Sequence, residues 1–391
     1  MNDVVALDRT LTAPAIRLRT EASRRRIVIN GRFVGRSVTG VERYATEIVR
    51  ALDLLAAEEH PLAARLRFCL AVPSDAEIEG RLQAISVERV GLLSSRLWEQ
   101  FELPRWSGGD PIVNLCNTAP VLGSQNITCV HDAHVWLLPG NFSPAFRMLY
   151  RVLVPLSLRR SRRWVTVSRF SAEQLARLGI ADRMPDAITP NGSDHALRWS
   201  PTSSSLDPTR LPERYLLALG SRSLNKNLAL VHQLADRLAP EGIHVLIAGG
   251  GNRQVFGQAE AAASSRAVEL GRVSDDDLAL LFEKATGFLF PSLYEGFGLP
   301  PLEAMRLGCP VIASNTSAMP EVLGDAAILC SPVAIDEWEA AVHELASNED
   351  RRLDFVRRGR ERAVGFTWRA SALTVLRLLD EVASAQPEAA A

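Results

Sequence analysis

Glu295 and Glu303 bracket the turn Glu295-Gly-Phe-Gly-Leu-Pro-Pro-Leu-Glu303, which follows the apolar run Phe288-Leu-Phe290. Ionised carboxylates at the two ends of a loop can accept hydrogen bonds from the vicinal hydroxyls of a sugar and of a ribose, each worth about 1.5–3 kcal/mol. Gly296 and Gly298 let the backbone approach a ligand closely or adopt positive φ, and Pro300 and Pro301 announce a helix, because proline is tolerated in a first turn. A helix opening there aims unpaired N–H groups and a partial positive charge at the loop, which favours a phosphate. Taken singly, either glutamate is more simply a solvated loop residue or a first-turn acid; the joint spacing of acids, glycines and prolines carries the ligand-binding reading.

Other residues able to do chemistry stand at the ends of strand-like runs. His131 and Asp132 follow Ile127-Thr-Cys-Val130 at its carboxyl end, where open parallel sheets place ligands. His131 and His134 have the look of a metal pair, but no third ligand stands near them in the sequence, so no metal is expected. The strand-like Tyr215-Leu-Leu-Ala-Leu-Gly220 leads through Ser221-Arg-Ser-Leu-Asn-Lys-Asn227 to a helix pattern from Leu228, which puts the compact cation of Lys226 at a helix mouth suited to phosphate. Asp275 and Asp277 form a D-x-D of the kind that binds metals. Ser274 before them and Leu278, Leu281 and Phe282 after them explain the same residues as a capped helix start.

A doubly wound α/β scaffold would position these residues. A strand at 27–30 runs into a glycine-rich loop, and the helix after it sets Val41, Tyr44, Ala45, Ile48, Val49, Leu52 and Leu55 on one face. Further strands are expected at 67–72, 111–116, 127–130 and 164–168, then at 215–220, 244–248, 288–290 and 327–330. The glycines of the first loop miss G-x-G-x-x-G spacing, which disfavours an NAD-linked dehydrogenase. A chain of 391 residues calls for two domains, and residues 198–213, dense in Ser, Pro and Thr, read as the linker between them.

The turn from Glu295 to Glu303 resembles the E-x7-E signature of retaining GT-B glycosyltransferases of family 4, also called group 1, and residues 308–322 resemble its continuation. The resemblance spans 27–383. It implies two Rossmann-like doubly wound parallel-sheet domains facing a cleft, at 26–197 and 214–365, with a last helix at 366–385 crossing back onto the first domain. It further implies that Gly40 lies against the donor diphosphate, that His131 touches the donor sugar, that Lys226 meets the diphosphate, and that Arg272 and Val273 touch the base. Glu303 would hold the ribose and Glu295 the sugar hydroxyls, with Gly296, Phe297, Gly298 and Leu299 completing the donor loop. Two positions depart from the family pattern: Asn225 stands where arginine is common, which passes the basic role to Arg222, and Ser193 stands where an apolar residue is usual.

The implied activity is transfer of a sugar, with retention, from a nucleotide-diphosphate sugar to a saccharide or lipid-linked acceptor in polysaccharide synthesis. The segments Thr39-Gly-Val-Glu-Arg-Tyr44 and His131-Asp132 resemble bacterial enzymes that use GDP-mannose, so mannose is the first expectation. A nucleotide-sugar epimerase and an inactive nucleotide-sugar-binding protein are the competing readings.

Net charge of −1 gives no general affinity for nucleic acid. Five scattered cysteines without C-x-x-C spacing argue for a reducing cytoplasm and against a disulfide framework or zinc site. Residues 1–25 mix both charges without a long apolar core and read as a flexible leader. Six arginines between Arg147 and Arg163 alternate with apolar residues and are interrupted by Pro155. Such a face could rest on the inner membrane, at ~1 kcal/mol per basic residue. A packed helix with a solvated arginine face is the preferred alternative.

Overall fold

The computed structural model describes residues 24–78, 80–122, 125–220, 223–249 and 266–384. The expected leader lies almost wholly outside the described residues, and Arg222 lies outside them too.

The first sheet contains β1 (Arg25–Asn30), β2 (Leu66–Pro73), β3 (Ser86–Val90), β4 (Ile112–Asn114), β5 (Asn126–Cys129), β6 (Arg163–Thr166) and β7 (Ala187–Ile188), in the order β3-β2-β1-β4-β5-β6-β7. The second contains β8 (Tyr215–Gly220), β9 (His244–Gly249), β10 (Val268–Gly271), β11 (Gly287–Phe290), β12 (Val311–Ser314) and β13 (Ile328–Cys330), in the order β10-β9-β8-β11-β12-β13. Every pairing is parallel. Ile27, Val28 and Ile29 are fully buried, as are Leu216 and Leu217. Helices on both faces of a parallel sheet demand such unbroken apolar strands.

Strand order reverses between β1 and β4 in one sheet and between β8 and β11 in the other. Loops leaving the carboxyl ends of these neighbours diverge, which opens a crevice at each switch point. The loop after β1 leads to α1 (Gly40–Ala57), whose Tyr44, Ala45, Ile48, Val49, Leu52 and Leu55 are buried as expected, while Val41 of the same expected face is only half-buried. Next come α2 (Pro144–Arg160), α3 (Arg169–Arg177), α4 (Leu228–Leu238), α5 (Asp275–Lys284), α6 (Leu299–Leu307), α7 (Ile335–Ser347), α8 (Glu349–Val364) and α9 (Trp368–Ser384).

The arginine-rich stretch is not a single unit. Pro155 sits inside α2, the helix stops at Arg160, and Arg163 already belongs to β6. The helix begins earlier than expected because the Ser143 hydroxyl accepts from the Phe146 N–H and Pro144 fits the first helical position.

Helix α9 lies against α1 and buries Val375, Leu376, Leu379 and Val382. Burial of aliphatic side chains of this size contributes about 1.5–3 kcal/mol each. The chain can turn into α9 because Gly192 lies under it: a Cβ there would come within 2.3 Å of the Trp368 nitrogen. Ser193, the unusual polar residue, is fully buried, and its hydroxyl donates to the Ala363 carbonyl at 2.9 Å. Its departure from apolar character is thereby satisfied.

The D-x-D residues serve the joint between the halves. Ser274 caps α5, the Asp277 N–H donates to its hydroxyl at 3.0 Å, and the Ser274 N–H returns a bond to the Asp277 carboxylate at 2.9 Å. Asp277 also accepts from the Ser204 hydroxyl and the Ser205 N–H at 2.8 and 2.7 Å, Asp276 accepts from the Ser200 N–H, and Asp275 pairs with Arg43 of α1. Residues 198–213 are thus tied down along the start of α5.

Burial alone would raise the Asp277 pKa, but the bonds from Ser274, Ser204 and Ser205 outweigh it and hold the carboxyl well below the usual range. With the folded value depressed, the stabilisation is complete above about 3.9, the unfolded value, and is lost as pH falls through the folded one. Asp277→Asn should therefore cost about 1–2 kcal/mol in urea unfolding at pH 7, with the gap from wild type narrowing as the pH is lowered below 4. An equal gap at all pH values would contradict this account.

Candidate functional site

A cleft of about 1410 Å³ lies where the carboxyl ends of both sheets face each other. Among the residues singled out from sequence, Gly40, His131, Lys226, Arg272, Val273, Glu295, Gly296, Phe297, Gly298, Leu299 and Glu303 all line it. They converge because each stands directly beyond a strand or opens the helix that follows one.

At the second switch point, Lys226 follows β8 and Glu295 follows β11. The Lys226 ammonium donates to Glu295 Oε1 at 2.7 Å and lies 4.8 Å from the centre of the Phe290 ring. Asn225, the departure from the family pattern, is almost fully buried. Its side-chain amide donates to the Tyr294 carbonyl at 3.0 Å and to Glu295 at 3.4 Å, while its backbone carbonyl accepts from the Leu293 N–H at 2.7 Å. A residue of arginine's size and charge could not make this compact stitch between two loops. Asn225 therefore fixes the backbone on which Glu295 stands.

The two glycines of the turn have different tasks. Gly298 takes φ +94°, the left-handed region that favours glycine, at the mouth of α6. Gly296 is required by the other domain: a Cβ there would lie 2.7 Å from Asp132 Cβ and 2.9 Å from the His131 carbonyl. Its own carbonyl accepts from the Ser168 and Ser171 hydroxyls at 2.6 and 3.0 Å. Phe297 and Leu299 bury their side chains, so only their backbone is available to a ligand. Pro300 and Pro301 occupy the second and third positions of α6 and carry no N–H. Gly298 and Leu299 are left as the N–H donors at the helix mouth.

His131 is nearly buried, with Nε2 directed at the Leu115 carbonyl at 2.8 Å and its ring edge-on to Tyr44 at 4.8 Å. Burial works against a charged imidazole, but the neighbouring Cys129 sulfur, the Leu115 carbonyl and Asp132 prevail and raise His131 to about 9. A sugar contact from His131 therefore falls to the rest of the ring. The His134 ring nitrogen Nε2 is met by Asn141 at 2.9 Å, and that of His131 by the Leu115 carbonyl. Gly40 opens α1, and a Cβ there would meet nothing within 4 Å. The five cysteines are free; burial raises Cys69 to about 11 and Cys330 to about 12, which leaves both as inert thiols.

Glu303 has a support that sequence reasoning missed. Its carboxylate lies 2.8 Å from Nε2 of the fully buried His195, whose Nδ1 faces the Trp368 indole N–H at 3.0 Å. An indole nitrogen can only donate, so Nδ1 accepts and Nε2 carries the proton that bonds Glu303. Helix α9, packed on the first domain, thus reaches the carboxylate at the base of the second.

Two parallel-sheet α/β domains whose strand ends face a common cleft define the GT-B class of glycosyltransferases. The profile described as "Glycosyl transferases group 1" matches residues 207–362. The chain is 30% identical over 360 residues to the O-antigen chain mannosyltransferase B of Escherichia coli, covering 85% of this chain and 93% of that one. It is 28% identical over 251 residues to a GDP-mannose:cellobiosyl-diphosphopolyprenol alpha-mannosyltransferase of Komagataeibacter xylinus, covering 61% of this chain and 62% of the other. A sucrose-phosphate synthase from Thermosynechococcus elongatus has the same fold, with a TM-score of 0.68 at 18% identity over 93% of this chain and 100% of the other. The protein belongs to the glycosyl transferases group 1 family.

Proposed function

We propose that the protein is a retaining mannosyltransferase that moves mannose from GDP-mannose to a lipid-linked saccharide in the synthesis of a cell-surface polysaccharide. The observation that carries this reading is the Lys226–Glu295 pair at the second switch point, set across the cleft from Gly40 and His131, in a chain similar along most of its length to an O-antigen mannosyltransferase. The activity for which the relative from Komagataeibacter xylinus is named supports GDP-mannose as donor and a lipid diphosphate as carrier.

In this reading Glu303 holds the ribose, Arg272 and Val273 border the base, and Glu295 accepts from the sugar hydroxyls. The acceptor oxygen attacks the anomeric carbon on the face from which the diphosphate leaves. The bond from that carbon to the phosphate oxygen breaks, and the acceptor proton passes to the departing phosphate. Lys226 and the N–H groups at the mouth of α6 offset the charge that grows there, so the reaction needs no metal. The D-x-D acids are already engaged by Arg43 and residues of the 198–213 segment. No helix of the described residues is long and apolar enough to cross a membrane. Work at the cytoplasmic face, with the chain peripheral to the membrane, suits a lipid-linked acceptor.

Thermal shifts with GDP, UDP, dTDP and ADP test the donor, since a ligand of the folded state alone raises its stability by mass action. Nucleotide release from GDP-mannose, followed with and without acceptor, tests the reaction. Release that needs no acceptor favours an epimerase. Binding without any turnover favours an inactive binding protein, and a larger shift with UDP would overturn the donor.

A further inference from the structure

The turn Ser168-Arg-Phe-Ser171 joins β6 to α3 and grips the second domain at two points. Ser168 caps α3: its hydroxyl accepts from the Ser171 N–H at 3.0 Å and donates to the Gly296 carbonyl at 2.6 Å. The Ser171 hydroxyl donates to the same carbonyl at 3.0 Å. Both serines are buried, and a carbonyl has two lone pairs, so the Gly296 oxygen is fully satisfied from the facing domain. The second point is Glu321, exposed on the helical turn Met319–Leu323 that follows β12. The N–H groups of Arg169 and Phe170, which a helix start leaves without partners of its own, donate to its two carboxylate oxygens at 2.9 and 3.0 Å.

These two points enclose Glu295. Its N–H donates to the Ser317 hydroxyl at 3.2 Å and its carbonyl accepts from the Ala318 N–H at 3.4 Å, so its backbone rests on the residues that lead to Glu321. On one side of it, the Tyr294 hydroxyl accepts from the Ala133 N–H of the first domain at 3.1 Å; on the other, the two serines hold Gly296. The first domain thus fixes the residues before and after Glu295, while the Glu295 carboxylate itself faces Lys226 and the cleft. Ser168, Ser171 and Glu321 are not among the described residues that line the cleft, so their influence on a ligand passes through the loop. Displacing a positioning group by about 1 Å costs on the order of 10²-fold in rate, which makes such a hold a matter of catalysis as well as of stability.

We propose that Ser168, Ser171 and Glu321 are positioning residues for the transfer step: the mouth of α3 fixes the Gly296 carbonyl and the turn that carries Glu321, and through them sets the Glu295 carboxylate against the donor sugar. This role rests on the reading of Glu295 as the acceptor of the sugar hydroxyls. It divides the donor site in two. The nucleoside diphosphate is met by Lys226, Glu303 and the mouth of α6, none of which bonds α3. The geometry at the sugar depends on the hold from α3.

S171A removes one bond to Gly296, leaves the cap of α3 intact and suits a helix; E321A removes two bonds at an exposed position. With GDP-mannose as the probe donor, each is expected to lower kcat for sugar transfer about tenfold, while the calorimetric affinity for GDP stays within about twofold of wild type. E321Q keeps one acceptor oxygen and should fall between E321A and wild type. In a cycle with E295Q, the double variant S171A/E295Q should be no slower than E295Q alone, because Ser171 acts through a carboxylate already altered. Additive losses would overturn the proposal, and so would a lowered Tm with kcat intact, the result of a merely structural tie. Hydrogen exchange followed by mass spectrometry needs no donor: segment 293–299 should exchange about tenfold faster in S171A and in E321A, with segment 228–238 of α4 as in wild type. Unchanged exchange at 293–299 would also overturn it. If wild type does not turn over GDP-mannose, the donor reading alone fails, and the exchange rates decide whether α3 holds the loop.

Discussion

Lys226→Ala is expected to lower kcat for sugar transfer by about 10²–10³-fold, the loss that follows removal of one preorganised donor from a developing anion, about 2.7–4 kcal/mol. The ammonium leaves the end of β8, where strand order reverses, and Glu295 holds it at 2.7 Å. Only a fifth of the Lys226 side chain is exposed, so its charge acts with less screening than a surface lysine's. Glu295→Gln should also reduce transfer, by about 1.5–3 kcal/mol if a sugar hydroxyl loses a charge-assisted acceptor. Because the two groups touch, the double variant should lose less than the sum of the single losses. Single-turnover rates with saturating donor measure this, with thermal unfolding as the control for folding. Full kcat in a folded Lys226→Ala protein would remove Lys226 from the reaction.

The parts of the site legible in sequence are those whose reason is local. Phe288, Leu289 and Phe290 form an apolar run because a central parallel strand is buried on both faces, and Gly298 and Pro300 mark a turn and a helix start by their own backbone limits. Strand β3 escaped because Ser86-Val-Glu-Arg-Val90 is a half-exposed edge with little apolar content, and Ser95–Leu97 and Leu103–Ser107 escaped because a π turn joins short helical pieces without a clear period. Gly296 reads in the sequence as a close approach to a ligand; in the structure its close neighbour is Asp132 of the facing domain. Asn225 read as a defect in a family pattern and is a buried stitch. Contacts across sequence separations of this length leave no periodicity to read, and His195 is the extreme case: its partners lie 108 and 173 residues away.

That histidine supplies the second large effect. Trp368→Phe keeps an aromatic ring on α9 and deletes one N–H, leaving His195 Nδ1 buried without its donor. The imidazole then has no reason to keep its proton on Nε2, and a tautomer with a bare Nε2 sets a lone pair against the Glu303 carboxylate. If Glu303 holds the ribose, the affinity for the donor nucleotide should fall by about 1–3 kcal/mol, or roughly 5–150-fold in Kd, while kcat at saturating donor changes little. His195→Ala should match that loss in affinity and add a cost in stability from the emptied volume. Calorimetric titration with GDP and with GMP gives the readout, since both carry the ribose and only one the diphosphate. A structural role alone would lower the melting temperature and leave both affinities intact. Parallel weakening of GDP and GMP in Trp368→Phe places the effect at the ribose, and an undiminished affinity for GMP would show that Glu303 does its work without His195.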